Sequence, residues 1–143
     1  MAFSSGEINI RYQWPWGEAE ERFFGTLKSE GVLTGARCKR CNRVMVPPRS
    51  FCEECFQHDI EYVRVPSTGV IRTFAESYLS LEGKFMPEPF VVGIVHLDGT
   101  DGGLFHHIKP GGQPLKIGTR VRAVIAEERQ GSILDILYFE PIE

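Results

Sequence analysis

The chain has 143 residues, 42% of them hydrophobic and 24% charged, with a net charge of −3. That balance is ordinary for a soluble globular protein and excludes a disordered tail. No apolar run approaches the roughly 18 residues needed to span a bilayer, and the acidic total does not mark a nucleic-acid binder.

Met1 to Arg11 has neither a basic start nor an apolar block, so it reads as lacking a secretion signal, and a cytoplasmic location is expected. Residues 1–15 hold Trp14-Pro15 and few helix formers, so they are expected to lie extended. From Gly17 to Glu30, Ala19, Phe23, Phe24 and Leu27 recur at helical spacing. Glu18, Glu20 and Glu21 suit the first turn of that helix, and Gly31 suits its stop. Its aromatic face needs cover. The default is its own domain, and the alternative is a partner protein, because Trp14, Trp16, Phe23 and Phe24 are a heavy aromatic load. Residues 1–31 form this first segment.

Residues 32–65 hold all four cysteines, as Cys38-x2-Cys41, ten intervening residues and Cys52-x2-Cys55. Disulfides fit poorly, because cysteines three apart rarely bridge outside redox motifs. No βαβ unit surrounds either pair, against a thioredoxin-like role. Two pairs of thiolates suit one tetrahedral Zn2+, each pair offering both sulfurs from one tight turn. Iron and redox chemistry are the alternatives. A closed site of four thiolates leaves no open position for catalysis, so the metal is read as structural. Asn42 tolerates the left-handed backbone such a knuckle needs; Phe56 and Gln57 in the second knuckle match less well. Arg37, Lys39, Arg40, Arg43 and Arg49 are expected to favour the ionised thiolates. His58 is surplus to the four ligands. Val32–Ala36 and Val44–Val46 read as strands into and out of the first knuckle, Pro47-Pro48 as an extended link, and Ile60–Val65 as a strand.

From residue 66 to 143 the pattern is all-β. Val70–Leu79, Phe90–Leu97, Leu104–Ile108, Thr119–Ala126 and Ile133–Phe139 read as strands, with Gly and Pro at the turns. Five strands over so short a stretch indicate a small barrel, an OB-fold in preference to an SH3-like one. By segment the net charge is −2 over 1–30, +2 over 31–65 and −3 over 66–143. Zinc with four thiolates adds about −2 to the middle segment. A barrel that grips single strands needs a basic groove with aromatic platforms; this one is acidic, which leaves a single-stranded nucleic-acid module as the alternative reading.

No catalytic constellation emerges. His106 and His107 are adjacent and face opposite sides of a strand. Glu127 and Glu128 read as solvated charge at a hairpin, and Gly102-Gly103 and Gly111-Gly112 precede no helix that would make them phosphate loops. The chain by itself is therefore read as a non-enzyme.

The run Cys38 to Cys55 with its Pro47-Pro48 link, together with Ser67-Thr68-Gly69-Val70-Ile71, Gly93 to Asp98 and Leu115 to Val121, resembles the acyl-CoA-associated zinc-ribbon/OB-fold proteins, long catalogued as a domain of unknown function. Two features depart from that pattern: Asn42 stands where glycine is usual, and Asp101-Gly102-Gly103 with His106-His107 is foreign to it. The resemblance implies an N-terminal helical segment, a rubredoxin-like zinc ribbon and a C-terminal OB-fold. It also implies a non-catalytic partner of thiolase-like or hydroxymethylglutaryl-CoA-synthase-like enzymes that helps hold acyl-CoA and bridges subunits, with no membrane partner. For the phosphates of CoA the candidates are Arg37, Arg40 and Arg49. For its acyl–pantetheine arm they are Phe85 and Met86, in an expected crossover loop from Leu81 to Phe90.

Overall fold

The computed structural model describes residues 3–80, 82–112 and 114–142. Met1 and Leu81, which the sequence readings include, lie outside the described residues, as do Ala2, Gln113 and Glu143. Residues 3–17 carry no regular secondary structure. Helix α1 (Glu18–Glu30) begins where the Gly17 amide donates to the Glu20 carboxylate at 2.7 Å. It stops at Gly31, whose φ of 68° is the left-handed cap that glycine supplies without a Cβ clash. The helix buries Ala19, Phe23 and Leu27, one stripe at i, i+4 and i+8, against its own domain. Arg129 reaches back over 101 residues to donate from Nε to the Lys28 carbonyl at 2.8 Å, satisfying an orphan acceptor of the last turn.

Strands β1 (Leu33–Cys38), β2 (Val44–Met45) and β3 (Ile60–Val65) form an antiparallel sheet in the order β2-β1-β3. Strands β4 (Thr68–Leu79), β5 (Phe85–Leu97), β6 (Gly103–His107), β7 (Arg120–Ile125) and β8 (Ile136–Pro141) form a second sheet in the order β6-β5-β4-β7-β8. A parallel bridge between Ile108 and Phe139 joins its two ends and closes the five strands into a partly open barrel, the expected OB-fold. Across the β4–β5–β7 corner, Asp98 accepts from Thr68 at 2.6 Å and from both Arg120 amines at 2.6 and 2.8 Å. The Arg120 guanidinium, with the Thr68 hydroxyl, holds the Asp98 carboxyl down at about 2.

Most strand boundaries shift by one or two residues, and two differ from the sequence reading by three or more. Strand β5 starts at Phe85, not Phe90, because the hairpin goes on pairing through Ser77–Phe90 to Leu79–Phe85. The expected crossover loop thus shrinks to a turn that includes Gly83 at φ 75°. Pro87 and Pro89 are tolerated because this part of β5 pairs on one side only. Strand β8 starts at Ile136 because Ile133–Asp135 form a 3-10 turn. The buried Asp135 carboxylate accepts the amides of Gln130, Gly131 and Ser132 at 2.9, 2.7 and 3.1 Å, which pull its pKa below the usual range.

One core runs through both sheets. Phe23 and Leu27 of the helix and Leu33, Val44, Val46 and Val65 of the first sheet pack with Ile71, Val91, Val95, Leu97 and Phe139 of the barrel. A smaller cluster (Ala36, Cys38, Met45 and Cys52) lies around the cysteines. Among the described residues no helix is long and apolar enough to cross a membrane.

Candidate metal centre

The two cysteine pairs sit on two copies of one turn. In the first, the Cys38 amide donates to the Arg43 carbonyl at 2.9 Å and the Asn42 amide to the Cys38 carbonyl at 2.8 Å. In the second, Cys52 donates to Gln57 at 2.8 Å and Phe56 to Cys52 at 2.9 Å. Asn42 (φ 58°) and Phe56 (φ 56°) hold the same left-handed position, so the knuckle that matches less well by residue type matches fully by backbone. Most side chains cost about 1–2 kcal/mol there, whereas asparagine visits this region more readily. The Phe56 ring, 71% exposed, recovers little of this by packing. Phe56→Asn is therefore expected to raise stability by about 1 kcal/mol, visible as a Tm a few degrees higher; a lower Tm would show that the ring makes a contact of its own.

The four sulfurs of Cys38, Cys41, Cys52 and Cys55 all lie within 4.8 Å of one another. Closest approaches are 3.5 Å for Cys38–Cys55, 3.6 Å for Cys41–Cys52 and 3.9 Å for Cys41–Cys55, so all four are free thiols. A tetrahedron with metal–sulfur bonds of about 2.3 Å has sulfurs about 3.8 Å apart, which these distances fit. The four cysteines are positioned to hold one metal ion, with no fifth protein donor in the set.

Amides, not arginines, set the thiol acidities. The Cys41 amide, helped by the Arg40 amide and by the Cys55 and Cys41 thiols, brings Cys38 down to about 6 against the opposing effect of burial. The Cys55 amide acts first in lowering Cys52. Cys41 accepts from the Arg43 amide, but desolvation and the three neighbouring sulfurs outweigh it and push Cys41 up to about 12. Cys55 is raised by desolvation and by the Cys38 and Cys52 sulfurs, against the Gln57 amide and the Cys41 thiol. Each knuckle thus pairs one thiol shifted down with one shifted up.

The expectation that basic neighbours ionise the thiols is corrected here, because most of them face carboxylates. Arg37 pairs with Glu61 at 3.9 Å, Lys39 with Asp59 at 2.8 Å, Arg43 with Glu53 and Glu54 at 3.5 and 4.0 Å, and Arg49 with Glu53 at 3.4 Å. Among the described residues Arg40 is the one of the five that makes no ion pair.

The candidate ligand residues are spread out. Arg49 borders an open groove of about 340 Å³ between the start of α1 (Gly17 to Glu20) and the Pro47–Phe51 link. Phe85 is 87% exposed and Met86 half-buried at the tip of the β4–β5 hairpin. That tip lies twelve residues along β5 from Leu97, about 40 Å of extended chain, whereas the loop that touches the ribbon follows Leu97. His106 and His107 do face opposite ways: His106 meets Phe139 edge-on at 6.1 Å, and His107 stacks on Phe90 at 4.6 Å. Glu127 and Glu128 are exposed.

The sequence marks Asp101-Gly102 as foreign to the family pattern without assigning it a task; the structure does. The Asp101 carboxylate accepts the Val44 amide at 2.8 Å, and the Asp101 amide donates to the Val44 carbonyl at 2.7 Å. This loop latches the barrel onto β2, directly after the first knuckle.

Comparison with known proteins follows the same division. Residues 26–61 match the family described as ChsH2, rubredoxin-like zinc ribbon domain, and residues 62–126 match ChsH2, C-terminal OB-fold domain. Over 65 residues the chain is 29% identical to the benzoylsuccinyl-CoA thiolase subunit BbsA of Thauera aromatica, a stretch that covers 46% of this chain and 44% of that relative. A crystal structure of a DUF35-family protein of unknown function from Sulfolobus solfataricus superposes with a TM-score of 0.71 at 26% identity, covering 88% of this chain and 87% of the other. The structure titled Ltp2-ChsH2(DUF35) aldolase shares the fold with a TM-score of 0.65 at 22% identity, over 90% of this chain and 98% of the other.

Proposed function

We propose, given that the chain belongs to the DUF35 family of ChsH2-type zinc-ribbon and OB-fold proteins, that it is a non-catalytic accessory subunit of a thiolase-like condensing enzyme and helps that enzyme hold acyl-CoA. The observation that carries this reading is the apolar surface the chain leaves open. Ile8, Ile10, Tyr12, Trp14, Trp16 and, on the hairpin, Tyr78, Leu79, Phe85 and Phe90 are all exposed, more than a solitary domain of this size ordinarily shows. The kind of partner is suggested by the relative named as a thiolase subunit and by the fold shared with ChsH2 in an aldolase assembly. The four thiols are positioned for a metal centre, and the groove beside Arg49, about 340 Å³ and open to solvent, takes at most an end of a nucleotide thioester. A partner would cover its open side.

In this reading the ribbon meets the phosphates of CoA, and the acyl arm leads into the partner. Arg40 is the strongest phosphate candidate, because Arg37 and Arg49 must first leave Glu61 and Glu53. Phe85 and Met86 would line the arm only across the interface. Titration of the chain, alone and with the condensing enzyme, with acetyl-CoA tests this. Arg40→Ala is expected to weaken binding about tenfold, as the loss of one charge-assisted hydrogen bond does, and Arg49→Ala by threefold or less. Equal affinity for CoA lacking its 3′-phosphate, with no loss on Arg40→Ala, would count against the phosphate role. The paired cations of the ribbon argue against the single-strand nucleic-acid reading, which a salt-dependent shift with oligonucleotides would instead support.

A further inference from the structure

Residues 8–16 read Ile8-Asn9-Ile10-Arg11-Tyr12-Gln13-Trp14-Pro15-Trp16, a strict alternation with every apolar residue at an even position. Period two is the pattern of a strand with one face covered, and Ile, Tyr and Trp are strand formers. Yet the segment pairs with nothing among the described residues. Its apolar side chains are 84%, 66%, 68%, 68% and 53% exposed in chain order. Tyr12 and Trp14 stack at 4.9 Å and 16°, as i, i+2 neighbours on one side of an extended chain do. Trp16 meets Phe24 at 5.4 Å, which moors the far end of the segment to α1.

We infer that residues 8–16 are a docking arm that adds as an edge strand to the β-sheet of the partner enzyme, with its even-numbered side chains in apolar pockets beside that edge. The inference rests on the accessory-subunit reading and names the segment that makes the contact. Three observations carry it. Three aromatic side chains of about 150–250 Å² each and two isoleucines, all more than half exposed, leave on the order of 600 Å² of apolar surface on one side. That is most of the roughly 800 Å² that a standard interface takes from each partner.

Pro15 fixes the register. Along a strand the N–H and C=O of successive residues point to opposite edges. Proline has no N–H, so position 15 and every odd position must face away from the acceptor. The backbone groups of Ile8, Ile10, Tyr12 and Trp14 then face the acceptor edge, and the arm can pair on that side only. The third observation concerns the acceptor. Among the described residues strand β3 is a free edge of the very sheet on which α1 packs, and the arm leaves it unpaired. An identical edge on a second copy offers nothing better, which points to a different polypeptide.

The test uses each thiolase-type condensing enzyme of the native host, produced separately and titrated with the full chain. Tyr12→Ala is expected to weaken the complex about tenfold by removing the side chain. Tyr12→Pro, which also removes an acceptor-facing N–H, is expected to weaken it about a hundredfold, and Gln13→Pro by threefold or less. Because the two tryptophans of the chain both lie in the arm, 5-fluorotryptophan in this chain alone should show both 19F signals shifting on binding. Equal losses for the two proline variants, or none, overturn strand addition and leave the accessory reading intact. Binding of the wild-type chain to none of the enzymes overturns both. A self-assembled dimer that Tyr12→Pro dissociates overturns the choice of acceptor.

Discussion

Removing the metal is expected to unravel residues 38–43 and 47–59 while the barrel stays folded. The cluster around the cysteines is built from Ala36, Cys38, Met45 and Cys52, with Cys55, Ile60 and Tyr62 at its margin. Three of these seven residues are ligands, so without the cation little apolar burial is left to hold two tight turns. Structural zinc sites of this type carry about 10–16 kcal/mol of apparent binding free energy. The near half of the ribbon behaves differently, because Leu33, Val44, Val46 and Val65 belong to the barrel's core. Hydrogen exchange after treatment with a strong chelator should therefore show lost protection at both knuckles and retained protection across β4 to β8. Cys38→Ser and Cys52→Ser, at the buried positions, should reproduce the pattern. The metal also ties the ribbon to pH, since all four ligands must be deprotonated and affinity falls as pH drops. Unchanged protection in the stripped protein, or a metal content far from one equivalent, would remove the premise.

The second large effect belongs to Gly102. A Cβ at this position would sit 2.5 Å from the Val46 carbonyl oxygen and 2.9 Å from the Val46 nitrogen, both backbone atoms of the ribbon. Neither can rotate away, so Gly102→Ala has to push the β5–β6 loop off β2. The two Asp101–Val44 hydrogen bonds, at 2.8 and 2.7 Å, stretch with it. We expect a loss of about 3 kcal/mol, on the order of 10 °C in Tm, as for other overpacked or strained sites. Asp101→Ala, which removes one hydrogen bond without a clash, should cost about 1 kcal/mol. Exchange protection in Gly102→Ala should fall first at Val44 to Val46, where ribbon and barrel meet. A variant as stable as wild type would mean that the two halves slide past each other without cost.

What could be read from the residues in order was whatever depends on near neighbours. The Cys-x2-Cys pairs are local turns, and their spacing alone picks out a four-sulfur centre. The helix follows from a 3.6-residue stripe and a glycine stop, and the barrel strands from two-residue alternation. Residue type misjudged Phe56, because a backbone hydrogen-bonded like the first knuckle imposes a left-handed φ that its side chain disfavours. The alternation in residues 8–16 was equally plain in the sequence, but its meaning was not, since a period-two pattern says nothing about whether an edge is there to receive it.

The tertiary structure alone decided which carboxylate meets which cation, that Arg129 closes the end of α1, that Asp101 and Gly102 lock ribbon to barrel, and that the β4–β5 hairpin runs on to Phe85. Each of these pairs groups far apart along the chain or depends on how strands align. Such contacts are chosen by the shared core that brings the elements together, not by the propensities of the residues that make them.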